Sequence, residues 1–467
     1  MLFDNSIYTA KKQYFRTLII KYLLNMLIYP MFLCCFITFM ILLLRMGNSI
    51  KQVYASLFID ENELHLLVSE YFNTRFNVIR VDKVKLEGIS NFKISDRDLI
   101  VNKIKETIKR ASDKIGARIT KVILVLPALN FKRFPLRVSV NPTNGYITKY
   151  DVAKALSSSL KTRVDEDLMV VNSSIVKYYI NGIPARRFPD REICNELVVD
   201  IDLLCADKTL CIDYVSLVQE AGIEVLDITL NNFAICKEAA LFEQSLVSNV
   251  ILLDIGNEHS YLSLISRGKL LSSEVIYDGM SSIYNHVKSC YDLPGDNLDR
   301  LIKYNVDFKT EHPDDAVFAW NDDKQANQSI TIGQLSKASK GPTESLVEKV
   351  LTMCKPIIDS GPTTFFVTGE GAKMLMLIST LKELSKCDVK SYYPDTIGVR
   401  DSVLCSTYGS FFVYREKALL NELNVSCVDA QEYNQTVDKK QVDIDGESIT
   451  SKIKKMFELY RDEEDSK

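Results

Sequence analysis

Histidine is scarce in this chain. His65, His259, His286 and His312 are the only four in 467 residues, and they show no zinc-type spacing. None of the eleven cysteines forms a CxxC pair. Cys34 and Cys35 sit in an apolar run, and the others are scattered through strand- and helix-like segments, which suits reduced, mostly buried thiols in a cytosolic compartment. Nothing local supports a Ser/His/Asp or Cys/His catalytic site. Charge of one sign is lacking too: the formal net charge is −4, so nucleic acid is not expected as a partner. What is present is ordinary globular material, 46% hydrophobic and 25% charged, with length for about three domains' worth of core.

The most informative stretch is VILLDIGNEHSYLSLISRGKL, residues 250–270. An apolar strand runs into Asp254-Ile255-Gly256, turns through polar residues and leaves as a second alternating strand. One DxG turn is a weak signal. A second segment strengthens it: TTFFVTGEGAKMLML, residues 363–377, is a buried-type strand entering Thr368-Gly369-Glu370-Gly371-Ala372 before a helix-like apolar run. In actin-fold ATPases such a hairpin holds the phosphates of a nucleotide, its Asp helping to place the metal and its glycines admitting backbone N–H groups. The glycine turn lays backbone against adenosine in the same fold.

Four further segments carry a resemblance. They are GYITKYDVAKAL (145–156), NGIPARRFPDREICNELVVDIDLLCADK (181–208), LVQEAGIEVLDITLNNFAICKEAAL (217–241) and SYYPDTIGVRDSVLCSTYGSFFVY (391–414). In this order they are similar to the actin-like FtsA family of bacterial cell-division proteins over roughly residues 53–420. The resemblance implies an α/β, actin-like two-lobed ATPase fold with an inserted 1C-type (SHS2-like) subdomain. The first lobe (1A) is expected at 46–129 plus 207–248, with an amphipathic helix near 95–115 and a strand at 121–129. The 1C insert is expected at 130–206, the second lobe (2A) at 249–282 plus 345–420, and its insert (2B) at 283–344. No internal repeat stands out beyond a strand hairpin opening each lobe.

The chain departs from that family at both phosphate loops. Where the first loop's metal-directing Asp is expected stands Phe58, and Asp60 and Glu61 replace the Gly-Thr that touches phosphate. Carboxylates there repel a triphosphate. In the second loop Asp254 and Gly256 survive, but Asn257, Glu258, His259 and Ser260 replace a Gly-Gly-Thr-Thr-type run. Two altered loops argue against efficient ATP hydrolysis. The resemblance implies ATP with magnesium as cofactor. The glycine turn still admits a nucleoside, and whether nucleotide binds stays open beside the plain reading of two structural hairpins.

Both termini carry apolar sequence. Residues 23–44 hold no charge over 22 positions. As a helix that is about 33 Å, enough for a hydrocarbon core of roughly 30 Å. Lys11, Lys12, Arg16 and Lys21 precede it, against Arg45 and Lys51 after it, so the positive-inside rule would export everything downstream. Two readings stand: a transmembrane anchor at 1–45, or translated upstream sequence with Met46 as the true start. At the other end a polar linker is expected at 421–448. It leads to an amphipathic helix at 449–467 with Ile449, Ile453, Met456, Phe457 and Tyr460 on one face and Lys452 and Lys455 beside it. Such a helix lies on an anionic membrane or docks on the protein's own surface.

The expected function is therefore a scaffold at the division site, on the cytoplasmic face of the membrane. It would bind anionic lipid, tether the tubulin-like protein FtsZ and self-associate through subdomain 1C. The alternatives are an active ATPase or kinase of the same fold, and a relative serving type IV pilus assembly.

Overall fold

The computed structural model describes residues 51–291, 298–306, 312–321, 327–423, 425–429 and 431–436. The apolar segment 23–44 and the amphipathic helix expected at 449–467 lie outside the described residues. Among the described residues no helix is long and apolar enough to cross a membrane. Gln52–Tyr71 and the described residues from Phe76 on form one compact unit. Lys51 and the hairpin tip Phe72–Arg75 are the described part of another.

Two five-stranded sheets repeat one topology. In the first the order is Glu224–Leu230, Lys121–Leu126, Gln52–Ile59, Glu63–Phe72, Arg75–Lys85. In the second it is Asp388–Ser391, Thr363–Gly369, Asn249–Ile255, Ser260–Ser266, Lys269–Ile276. Each central strand pairs antiparallel with the hairpin partner that follows it and parallel with a strand reached by a longer crossover. The burial pattern explains the choice of residues. All eight residues of Gln52–Ile59 are buried, as a strand covered on both faces requires. Along Asn249–Ile255, Val250 and Leu252 enter the core shared with the first sheet, while Ile251, Leu253 and Ile255 enter a second core.

Between the sheets run the helices Asn231–Glu238 and Cys405–Leu420. The latter packs on the former and on strand Gln52–Ile59, and its Tyr408, Phe411, Val413 and Tyr414 belong to the first core. Residues 345–420 are expected from sequence wholly in the second lobe. The final helix instead returns to the first, because its aromatic face meets Tyr54 and Phe76 there.

The segment inserted after Lys121–Leu126 forms an antiparallel sheet ordered Lys132–Val140, Leu197–Asp207, Leu168–Ile180, Ile183–Ala185. Helix Lys149–Ser159 packs against it, started by a capping box between Thr148 and Asp151. This unit has a core of its own, including Ile147, Val152, Leu197, Val199 and Ile201. In the other half, helices Met280–Tyr291 and Leu298–Asn305 and a hairpin of Ala316–Asn321 with Asn327–Thr331 precede the long helix Ile332–Ile358. The border expected at 344/345 falls inside that helix. Its buried stripe runs through Leu335, Ala338, Leu346, Val350 and Cys354 without interruption at Pro342.

The polar linker expected from 421 also differs. Ser426, Cys427 and Val428 dock on the first lobe: the Cys427 N–H donates to the Val53 carbonyl at 2.7 Å, and Val428 bridges to Ile119. Tyr433 is buried and its hydroxyl donates to Glu70 at 2.9 Å. A few apolar residues within a polar stretch suffice to bind this strap, and composition averages over them. Of the nine described cysteines seven are buried, Cys387 is half-buried and Cys290 is exposed, so the thiols are mostly interior.

Candidate functional site

The three turns meet at one place because they stand at the same ends of strands in the two sheets. Ligand crevices of α/β proteins form at such carboxyl-terminal strand ends. The first loop, Asp60 to Asn62, follows Gln52–Ile59, and the second, Gly256 to His259, follows Asn249–Ile255. The glycine turn follows Thr363–Gly369, the parallel neighbour of Asn249–Ile255. Gly369 pairs in register with Ile255, and Thr368 Oγ1 donates to Asp254 Oδ1 at 3.0 Å.

The glycines here are required by contact. Gly369 has φ 74° and ψ −163°, a conformation essentially confined to glycine. A Cβ on it would lie 2.4 Å from the Ile255 carbonyl oxygen and 2.7 Å from Asp254 Oδ1. A Cβ on Gly371 would meet the Ile255 side chain at 2.7 Å. Gly279, which sequence reading passed over, is as tightly held: its Cβ would meet the Asn257 oxygen at 2.4 Å. That contact lets the N–H groups of Met280 and Ser281 bond the carbonyls of Gly256 and Asn257 at 3.0 and 2.8 Å. The second loop is thus clamped by a helix start, and the Gly256 N–H is used within the turn, donating to the His259 carbonyl at 2.9 Å.

The charges are unlike those of a phosphate cradle. The Asp60 N–H donates to the Glu63 carbonyl at 2.9 Å, closing the first turn on itself. Glu61 is buried, accepts the Phe92 N–H at 2.6 Å and lies 3.6 Å from Nδ1 of buried His259. Asn62 Nδ2 donates to Glu258 at 3.0 Å. Burial raises the carboxyls of both Asp60 and Glu61, backbone hydrogen bonds and histidine charge opposing it only in part. Phe58 is buried opposite His65 in the hairpin register, its ring 6.0 Å from the imidazole, so it lies in the core and carries no polar group to the cleft. His65 binds Glu63 at 2.8 Å. Ser260 Oγ donates to the Asp278 carbonyl at 2.8 Å and is committed to structure.

At the glycine turn, buried Glu370 is paired with Lys303 and lies 3.4 Å from Lys373, which also contacts Asp401 at 2.8 Å. Burial pulls the Asp401 carboxyl up, but Lys373 and Lys83 hold it well below the usual carboxylate range. Ala372 is half-buried beside them. His65, Phe92, Lys303, Tyr277 and Gly279 were missed from the sequence, since each comes from a segment without a phosphate-loop motif. Among the described residues no group of three or more His, Cys, Asp or Glu is placed to hold a metal ion. The residues at the two loops do not fit a magnesium–triphosphate: buried carboxylates stand where donors to phosphate are needed, and the Asp60 and Gly256 N–H groups are bonded within their own turns.

Asp254 yields a pH prediction. Burial, with help from Asp60, pushes its carboxyl up to about 6, against the lowering effect of the Thr368 hydrogen bond and of His65. The folded value lies above the unfolded one, so ionisation costs stability as pH rises between the two. The penalty is nearly absent at about pH 4 and grows to about 3 kcal/mol at about pH 8. Asp254→Asn keeps the acceptor for Thr368 and removes the charge. It is expected to melt above wild type at about pH 8 and level with it at about pH 4; a constant difference across that range would refute the assignment.

No family model matches the chain. The cell-division protein FtsA of Bacillus subtilis (strain 168) is 25% identical over 359 residues, covering 75% of this chain and 81% of the relative. FtsA of Staphylococcus epidermidis is 24% identical over 417 residues, covering 85% and 87%. Among solved structures, a PilM-PilN type IV pilus biogenesis complex aligns with a TM-score of 0.52 at 13% identity, over 78% of this chain and 98% of that one, which shows the fold alone. The fold is that of the actin-like ATPases, and over three quarters of its length the chain is similar, as a divergent relative, to the cell-division protein FtsA.

Proposed function

We propose that this chain is a division scaffold of the FtsA type, tethering a tubulin-like FtsZ polymer to the inner face of the cytoplasmic membrane. The observation that carries the reading is the length of the similarity, which runs through 81% and 87% of the two relatives rather than one shared motif. In this reading the sheet of Gln52–Ile59 is subdomain 1A and that of Asn249–Ile255 is 2A. The antiparallel unit within 130–206 is 1C and mediates self-association, and the segment around the hairpin Ala316–Asn321 is 2B. Residues 449–460 bind anionic lipid. The strap at Ser426 to Tyr433 roots that tail on the first lobe. Co-sedimentation tests it: FtsZ-like polymer is expected on anionic vesicles only when the chain is added. Recruitment that is equal without the chain, or absent with it, would overturn the proposal.

The same reading makes the chain a poor ATPase. Purified protein is expected to turn over no magnesium-ATP above background, because Phe58, Asp60 and Glu61 stand in the first loop. Magnesium-dependent hydrolysis that disappears in Asp254→Ala would refute this. Nucleoside docking on the Gly369–Gly371 turn remains part of the proposal and is read by calorimetry with adenosine and ADP.

A further inference from the structure

In an actin-like cleft that takes magnesium-nucleotide, the ligand's phosphates sit between the two loops and so join the two lobes. The loops here do not fit that ligand, yet they touch. Asn62 on the first reaches Glu258 on the second at 3.0 Å, and the other Glu258 oxygen accepts Ser281 Oγ at 3.0 Å. Glu61 faces His259 at 3.6 Å, with side chains only 7% and 5% exposed. Phe92, from the small hairpin of Ile89–Ser90 with Lys93–Ile94, holds Glu61 by its N–H and lays its ring 4.6 Å from the His259 imidazole. Tyr277 closes the far side, its ring 5.2 Å from His259 and 6.3 Å from Phe92.

We infer that the chain latches its own cleft: the Glu61 carboxylate is an internal anion between the loops, and with Asn62–Glu258 and Phe92–His259 it keeps the lobes together without nucleotide. A buried carboxylate is costly unless hydrogen-bonded and faced by opposite charge: Glu61 takes its hydrogen bond from Phe92 on its own side of the cleft, and His259 faces it from the other side only while the lobes are together. The charges around it set the balance. Asp60 and Glu258 repel it, His259 attracts it, and the Tyr214 hydroxyl of helix Lys208–Glu220 lies close enough to feel it. The aromatic contacts add apolar closure that no phosphate supplies. This inference rests on the reading of the cleft as unfit for magnesium-ATP and not on the division role.

Hydrogen exchange of the full chain reads it directly. In wild type the segments 89–94 and 256–262, on opposite sides of the cleft, are expected to exchange at the same rate with and without magnesium-ATP. Glu61→Gln and, from the other side, Glu258→Ala are each expected to speed exchange in both segments about tenfold, the loss of one charge-assisted hydrogen bond. Strand Lys121–Leu126 is expected to stay protected, which separates unlatching from unfolding. Protection gained by wild type on adding magnesium-ATP, or variants that leave the far segment unchanged, would overturn the latch. Turnover and vesicle recruitment measured on the same samples show whether the cleft reading or the scaffold reading fails instead.

Discussion

Gly409→Leu is expected to abolish cooperative folding. Gly409 lies where helix Cys405–Leu420 crosses Asn231–Glu238, and a Cβ there would sit 2.2 Å from the Ala234 carbonyl oxygen and 2.5 Å from its carbon. The obstacle is backbone, so no rotamer relieves it. The helices must separate, which opens the core around Phe233, Phe411 and Tyr408 and pulls Ser410 Oγ from Ser56 Oγ, 2.7 Å away. Overpacking typically costs about 1–3 kcal/mol for small additions. A whole leucine against a carbonyl exceeds that, within a total stability of about 5–15 kcal/mol. Gly409→Ala separates packing from propensity. In an exposed helix the change would stabilise by about 0.5–1 kcal/mol. Here it is expected to lower the midpoint of a urea melt, and a raised midpoint would show that the crossing is looser than described.

Phe457→Glu is expected to release the protein from anionic vesicles while leaving its melting curve unchanged. Residues 449–467 lie outside the described residues. Ile449, Ile453, Met456, Phe457 and Tyr460 share one helical face, and a fully buried large apolar side chain contributes roughly 1.5–3 kcal/mol. Shallow insertion and the cost of ordering the helix reduce the sum. Each basic residue adds up to about 1 kcal/mol, partly cancelled by Asp462 to Asp465. One copy should therefore bind reversibly and an assembled row firmly, by avidity. Replacing the central aromatic with a carboxylate removes the largest apolar term and adds repulsion. High salt is expected to weaken wild-type binding only in part, since the apolar term remains. If a chain ending at Ser448 still sediments with vesicles, the tail is not the anchor.

The central strands were legible from sequence because their constraint is local. Residues 250–255 are apolar to a degree that only a strand covered on both faces needs, and the polar run after Ile255 marks the turn. The helix read at 95–115 runs over Arg97–Ile115, with Asp96 as its cap and Ile100, Ile104, Ile108 and Ala111 buried. The glycine turn was legible for the same reason, since Gly369 needs a backbone conformation other residues avoid. Legibility stopped where the partner comes from far along the chain. Nothing local tells that Phe92 will hold Glu61, that Lys303 will pair with Glu370, or that Cys427 will bond beside Val53. Nor does the aromatic spacing of Tyr408, Phe411 and Tyr414 say which lobe they enter.

By itself, then, the sequence determined which strands turn at Asp60, at Gly256 and at Gly369, and that two of those turns carry carboxylates where a nucleotide's phosphates need donors. Hydrophobic period, glycine and side-chain charge are properties of each residue and its near neighbours, so they survive without coordinates. The tertiary structure alone decided what those carboxylates do. Burial and the approach of Phe92, His259 and Glu258 are consequences of packing two sheets around two shared helices, and only that packing turns a repelling pair of acids into a contact between lobes.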